Sequence, residues 1–257
     1  PGQAHVTVKF LGDTPDRRVD DLRAALSAAV DDAGVAPFEA TYAGTRPGRF
    51  ADLAVFSFYA TKNVTCGEGG AIVTRDAALM GRLRRAVLHG MSAGAADRFA
   101  GAYYRHWDVT GLGIKGNLPD LLAALLIPQI RRIDELREHR QAVVDRYRAG
   151  LSPKLRFADV LPSARSAHHL FPVHVPPPLR DRFLHDLNTV GVGTTVNYRA
   201  IHRLTYYREK YAIGDAALPV SSAWGDGVIS LPLYVSLSIP EQNYVIEQVN
   251  ALVETLL

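Results

Sequence analysis

The stretch from Phe56 to Thr74, FSFYATKNVTCGEGGAIVT, sets a serine and a lysine just ahead of a cluster of glycines. An unprotonated lysine amine attacks aldehydes and ketones, and a partly apolar setting favours that unprotonated form. Lys62 is therefore a candidate nucleophile. Ser57, five residues earlier, can offer a hydroxyl to a phosphate. Gly67, Gly69 and Gly70 let the backbone turn tightly beside a ligand. Residue type alone does not decide the matter, because most lysines are solvated and a lysine after a strand has a plain reading as a surface residue.

The elements that must position these residues follow from patterning. Ala51 to Tyr59 is a mostly apolar run of strand length and is expected to form a buried strand. Gly67 to Gly70 reads as a turn, Ala71 to Thr74 as a short second strand, and Leu79 to Leu88 as a helix. Gly90 to Gly116 lacks a period and reads as a long loop, a length usually kept for function. Leu118 to Leu151 is the longest helical pattern, with a break predicted near Pro128. Leu170 to Val175 alternates as a strand, Arg180 to Val190 is helical, and Gly191 to Tyr198 reads as a turn and strand. Pro240 to Leu256 closes the chain as a helix, so the tail is an α+β unit. At the other end, His5 to Leu11 reads as a strand and Asp16 to Ala33 as a helix.

Composition narrows the function classes. The formal charge is +3 over 257 residues, with Lys and Arg scattered, which gives no basis for nucleic-acid binding. No apolar run approaches the ~20 residues of a membrane span. No metal site is expected. The single cysteine, Cys66, excludes an intrachain disulfide and fits a reducing cytoplasm. No signal peptide is visible, and a chain opening at Pro1 rather than methionine is expected to continue something longer.

Five stretches resemble the DegT/StrS family of sugar aminotransferases, in order along the chain. They are the lysine segment, the EATYAGTRPGRFADLAVFSF before it (Glu39 to Phe58), GIKGNLPDLLAALLIPQI (Gly113 to Ile130), NYRAIH (Asn197 to His202) and WGDGVISLPLY (Trp224 to Tyr234). The resemblance covers about residues 39–257. It implies an α/β chain: part of a type I, aspartate aminotransferase-like PLP-transferase large domain, followed by a C-terminal α+β small domain. Such a large domain is a mainly parallel sheet with helices on both faces. The implied reaction moves an amino group, usually from glutamate, to a keto group on a nucleotide-linked sugar, with pyridoxal 5′-phosphate (PLP) as cofactor. Lys62 would hold the cofactor covalently and shuttle a proton, and Ser57 would contact its phosphate. Asn117 would reach the phosphate of a neighbouring subunit's cofactor, which implies a homodimer with shared sites. Tyr198 and His202 would line the sugar-nucleotide cleft. The plain alternative for Asn117 is a helix N-cap, since Pro119 follows at an early helical position.

The resemblance has a gap at the start. The family supplies a phosphate cup, a ring-stacking aromatic and an aspartate for the pyridine nitrogen upstream of its lysine. That aspartate should stand six residues before Glu39, where this chain has Ala33, and Asp32 is displaced by one. The opening HVTVKFLGDTP instead resembles the first HxTx motif of LigT-type RNA 2′,3′-cyclic phosphodiesterases, with His5 and Thr7 as the motif residues. Those two-histidine phosphoesterases pair two such motifs, and no second His-x-Thr/Ser occurs here. The expected organisation is a LigT-like fragment over 1–36, a truncated PLP-binding large domain with the long helix over 37–150, and a small domain over 151–257. The alternatives to an aminotransferase are then a two-histidine cyclic phosphodiesterase or a non-catalytic remnant that acts as a binding module.

Overall fold

The computed structural model of the protein describes residues 6–7, 39–46, 49, 51–92, 103–104 and 106–257. The helix expected over 16–33 lies outside the described residues, as does the opening strand apart from Val6 and Thr7. In chain order the strands and helices begin β1 (Val6–Thr7), β2 (Thr41–Tyr42), β3 (Leu53–Ser57), β4 (Gly70–Thr74), α1 (Ala77–Ala86), α2 (Asp120–Ala124), α3 (Leu126–Arg131) and α4 (Ile133–Gly150). They continue with β5 (Arg156–Phe157), β6 (Ala164–Arg165), β7 (Phe171–His174), α5 (Arg180–Thr189), α6 (Thr205–Tyr211), α7 (Pro219–Gly227), β8 (Val228–Leu231) and α8 (Ile239–Leu256). Two compact units result: 1–135 with 161–167, and 136–160 with 168–257. From Leu136 onward the long helix α4 belongs to the second unit.

In the first unit, β3 and β4 form a hairpin in which Leu53 faces Thr74 and Ser57 faces Gly70, and β1 lies along the other edge of β4. All named ladders among the described residues are antiparallel, unlike the mainly parallel sheet expected of a large domain. A direct hairpin connection permits only that direction, since parallel neighbours need a crossover. The strand expected to be buried over 51–59 is half-exposed instead, with Val55 69% exposed. Among the described residues β3 stands at an edge of the sheet order β1-β4-β3, so its hydrophobicity is only partly covered there. α1 starts where the Asp76 carboxylate accepts from the amides of Ala78 and Leu79, and Arg84 and Arg85 sit in its last turn, where positive charge suits the helix dipole. The unit's core joins Phe58, Val64 and Cys66 from the hairpin loop to Leu118, Ala123, Leu126 and Ile130.

The helical pattern over 118–151 breaks at Leu125 and at Arg132, not at Pro128. Pro128 is the third residue of α3. Its missing N–H would have had no intrahelical acceptor there, so the ring costs the helix no hydrogen bond.

In the second unit β5, β7 and β8 form an antiparallel sheet, with Phe171 facing Leu231 and His174 facing Val228. Tyr147 of α4, Phe183 and Leu187 of α5 and Val249 of α8 are fully buried in one cluster with Val173 and Ile229. Burial of each such side chain contributes about 1.5–3 kcal/mol. Ser238 and Glu241 close a reciprocal capping box that sets the start of α8. The strand expected within 191–198 does not form beyond one bridge, Thr195 to Ser230. Thr194 is instead engaged by the Asn188 side chain, whose oxygen accepts the Thr194 amide at 3.2 Å and whose nitrogen donates to the Thr194 hydroxyl at 2.9 Å. Local side-chain bonding of this kind competes with a ladder.

Candidate functional site

Lys62 lies in the loop that joins β3 to β4, and its side chain is half-buried. The loop is closed at its base by hydrogen bonds from the Phe58 amide to the Gly69 carbonyl, 2.8 Å, and from the Cys66 amide to the Phe58 carbonyl, 3.0 Å. The Lys62 amide turns back onto the Tyr59 carbonyl at 2.9 Å. The Thr65 hydroxyl donates to the Phe58 carbonyl at 3.0 Å and accepts the Gly67 amide at 3.0 Å. Gly67 has φ +87°, a conformation that a side chain would strain. A Cβ on Gly69 would sit 2.8 Å from the Cys66 sulfur and 2.9 Å from a Leu118 methyl carbon. The glycines thus serve both a reversal and close packing. Burial pushes the Cys66 thiol up from its ordinary value, which makes it a packing residue here.

Ser57 ends β3 on the same hairpin, exposed, with its hydroxyl 3.4 Å from the Tyr59 amide. Asn117 is exposed in the same unit. It directly precedes Leu118, whose side chain packs against Gly69 and the loop core. The helix-cap alternative for Asn117 does not hold: the N-cap of α2 is Pro119, with no side-chain cap bond. Thr7 lies in β1, opposite Ile72, and His5 lies outside the described residues, as do Asp32 and Ala33.

Tyr198 and His202 belong to the second unit. Tyr198 is 63% exposed, while His202 is buried. His202 Nε2 lies 3.0 Å from Asp215 Oδ1 and 2.9 Å from the Ser222 hydroxyl. Arg203 pairs with Asp215 at 2.7 Å and with Asp226. Arg203 first, then His202, holds the Asp215 carboxyl well below the usual carboxylate range. His202 is therefore a tie between the segment after Tyr198 and α7, a role its residue type did not announce. Beside Tyr198, the Asn197 side-chain oxygen is buried with no hydrogen-bond partner among the described residues.

Three residues near Lys62 were missed by sequence reasoning. Glu39, 2% exposed, accepts from Asn63 at 2.8 Å, and Gln129 of α3 bonds the main chain of Thr65. Their types carried no signal, because each acts through a contact distant in sequence.

Ser57 and Lys62 stand on one glycine-supported hairpin and offer a hydroxyl and an amine, the group types that the phosphate and carbonyl ends of a phosphorylated aldehyde require. Among the described residues no cluster of three or more His, Cys, Asp or Glu could hold a metal ion, and no helix is long and apolar enough to cross a membrane.

The architecture is that of the type I PLP transferases, and solved sugar aminotransferases superpose on it. Spr1654 of Streptococcus pneumoniae, described as a sugar aminotransferase and solved in a PMP form, matches with a TM-score of 0.76 and 28% identity over 85% of this chain and 57% of its own. DesV of S. venezuelae, solved with a ketimine intermediate, matches with a TM-score of 0.72 and 28% identity over 89% of this chain and 61% of its own. The spore coat polysaccharide biosynthesis protein SpsC of Bacillus subtilis is 32% identical over 221 residues, 83% of this chain. The chain spans 57% of SpsC, so it covers little more than half of such a relative. The profile of the DegT/DnrJ/EryC1/StrS aminotransferase family matches residues 18–250. The chain belongs to that family, whose members depend on PLP. The match begins at residue 18, ahead of the Glu39 at which the resemblance is legible by motif and inside the stretch assigned to a LigT-like fragment.

Proposed function

We propose that this chain carries the lysine half of a PLP-dependent sugar aminotransferase site, with Lys62 as the cofactor-binding and proton-transferring residue. The observation that supports this reading is the half-buried Lys62 on a hydrogen-bonded hairpin loop, with Ser57 at the strand end before it. PLP, when bound, supplies an electron sink that lets a proton leave the carbon bearing the amino group. Lys62 holds and returns that proton, Ser57 donates to the phosphate, and Asn117 serves the phosphate of a neighbouring subunit in a homodimer. The exposed Tyr198 suits a hydroxyl-rich substrate, a keto-sugar carried on a nucleotide, with a glutamate-type amino donor. In this reading the first unit is the later part of the cofactor domain, the second is the small domain, and the enzyme works in the cytoplasm.

Incubation with PLP followed by borohydride reduction tests the assignment. The expected result is a yellow protein and, after reduction, a pyridoxyl group on the Lys62 peptide. Lys62→Ala loses both. A wild type that stays colourless at saturating PLP refutes it.

A further inference from the structure

A lysine side chain has many rotamers, so its amine is placed reliably only if the backbone beneath it is fixed. The bonds within the β3–β4 loop close its base and reach Lys62 and Thr65, and its crown, 62–65, is also held from outside. Two side-chain amides do so. Asn63 Nδ2 donates to the buried Glu39 carboxylate at 2.8 Å and to the Ala167 carbonyl at 2.9 Å, which uses both of its hydrogens. Gln129 reads both main-chain groups of Thr65: its oxygen accepts the Thr65 amide at 3.0 Å and its nitrogen donates to the Thr65 carbonyl at 2.7 Å. That nitrogen also donates to the Leu125 carbonyl at 2.6 Å, tying the amide to its own helix. Gln129 is set in turn by Leu126 and Ile130, both buried in the unit's core. A side-chain amide that pairs with main-chain N–H and C=O of one residue does the work of a neighbouring strand where no strand is present.

We propose that Asn63 and Gln129 are positioning residues that present Lys62 to the cofactor. This rests on the assignment of Lys62 above. The residues anchoring the loop come from separate stretches of one unit, so the loop acts as a fixed mount for the amine.

The test compares wild type with Asn63→Ala, Gln129→Ala and Gln129→Met, the last of which keeps the packing volume and removes only the amide. Hydrogen exchange without cofactor should show the Thr65 amide exchanging about tenfold faster in the Gln129 variants, with the β4 amides unchanged. With PLP added, the pH titration of the visible absorbance should shift, and kcat should fall more than KM changes. Should Gln129→Ala fail to fold, Gln129→Met carries the test. Variants that titrate and turn over like wild type overturn the proposal while leaving Lys62 in place. A colourless wild type removes both.

Discussion

His168 makes the second unit acid-sensitive in a window that can be stated in advance. The residue is buried and sits at φ +49°, just before β7, with Nε2 2.7 Å from the Gln141 side-chain oxygen. Burial first, then the positive charge of Arg137, lowers its pKa from the ordinary 6.5 to about 4, with Arg140 and Arg148 adding to the effect and Asp145 opposing it. The folded state therefore keeps the ring neutral while the unfolded chain protonates it below 6.5. Between 6.5 and about 4 the unfolded state binds more protons, so stability falls as pH falls and the loss levels off below about 4. At about 1.4 kcal/mol per pH unit, that window caps the loss at about 3 kcal/mol. The comparison is His168→Asn, a residue that tolerates the left-handed backbone and does not titrate. Removal of the ring costs the variant a roughly constant amount at neutral pH. The gap between wild type and variant should then close by up to about 3 kcal/mol from pH 7 to pH 4 in denaturant unfolding, because the titrating carboxylates are common to both. Parallel stability curves across that range would refute the reasoning.

Two further outcomes follow from other parts of the molecule. Tyr147→Phe removes the donor to the Pro232 carbonyl, a 2.9 Å bond in the second unit's core, and should lower stability by about 1–3 kcal/mol in urea titration with the shape of the core unchanged. Val55→Lys, on the exposed face of the edge strand β3, should reduce self-association in sedimentation velocity with no loss of thermal stability; unchanged association would mean that this edge is not the contact.

The legible parts of the fold are those whose signal is local. The hairpin from Leu53 to Thr74 shows in an apolar run, a glycine cluster and a second short run, and α8 shows in the Ser238-Ile-Pro-Glu241 start followed by apolar residues at Val245, Val249 and Val253. The break at Leu125 rather than Pro128 was not legible, because a proline marks a break only if its amide position would otherwise have been bonded, and the register of α3 makes it a first-turn position. α6, with three tyrosines in seven residues, has no strong helical propensity and carried no pattern. The strand expected within 191–198 was lost to Asn188, six residues from Thr194, a competition that alternation alone does not reveal. The exposure of Val55 depends on β3 being an edge strand, which is a property of sheet order and not of the run itself.

The same division runs through the candidate site. Lys62, Ser57 and the glycines lie within a single stretch, and it was the resemblance of that stretch to a family motif, not residue type, that singled them out. The groups bonded to the adjoining Asn63 and Thr65 are distant in sequence: Glu39 and Ala167 lie 24 and 104 residues from Asn63, and Gln129 lies 64 from Thr65. A lysine on an unsupported loop would sample many positions, and each must be restricted before an amine can meet an aldehyde in a reactive geometry. Chemistry here is therefore written locally and precision non-locally. On the proposed assignment, a substitution at Gln129 or Glu39 leaves the lysine motif intact to any reader of the sequence, yet should loosen the loop that carries Lys62.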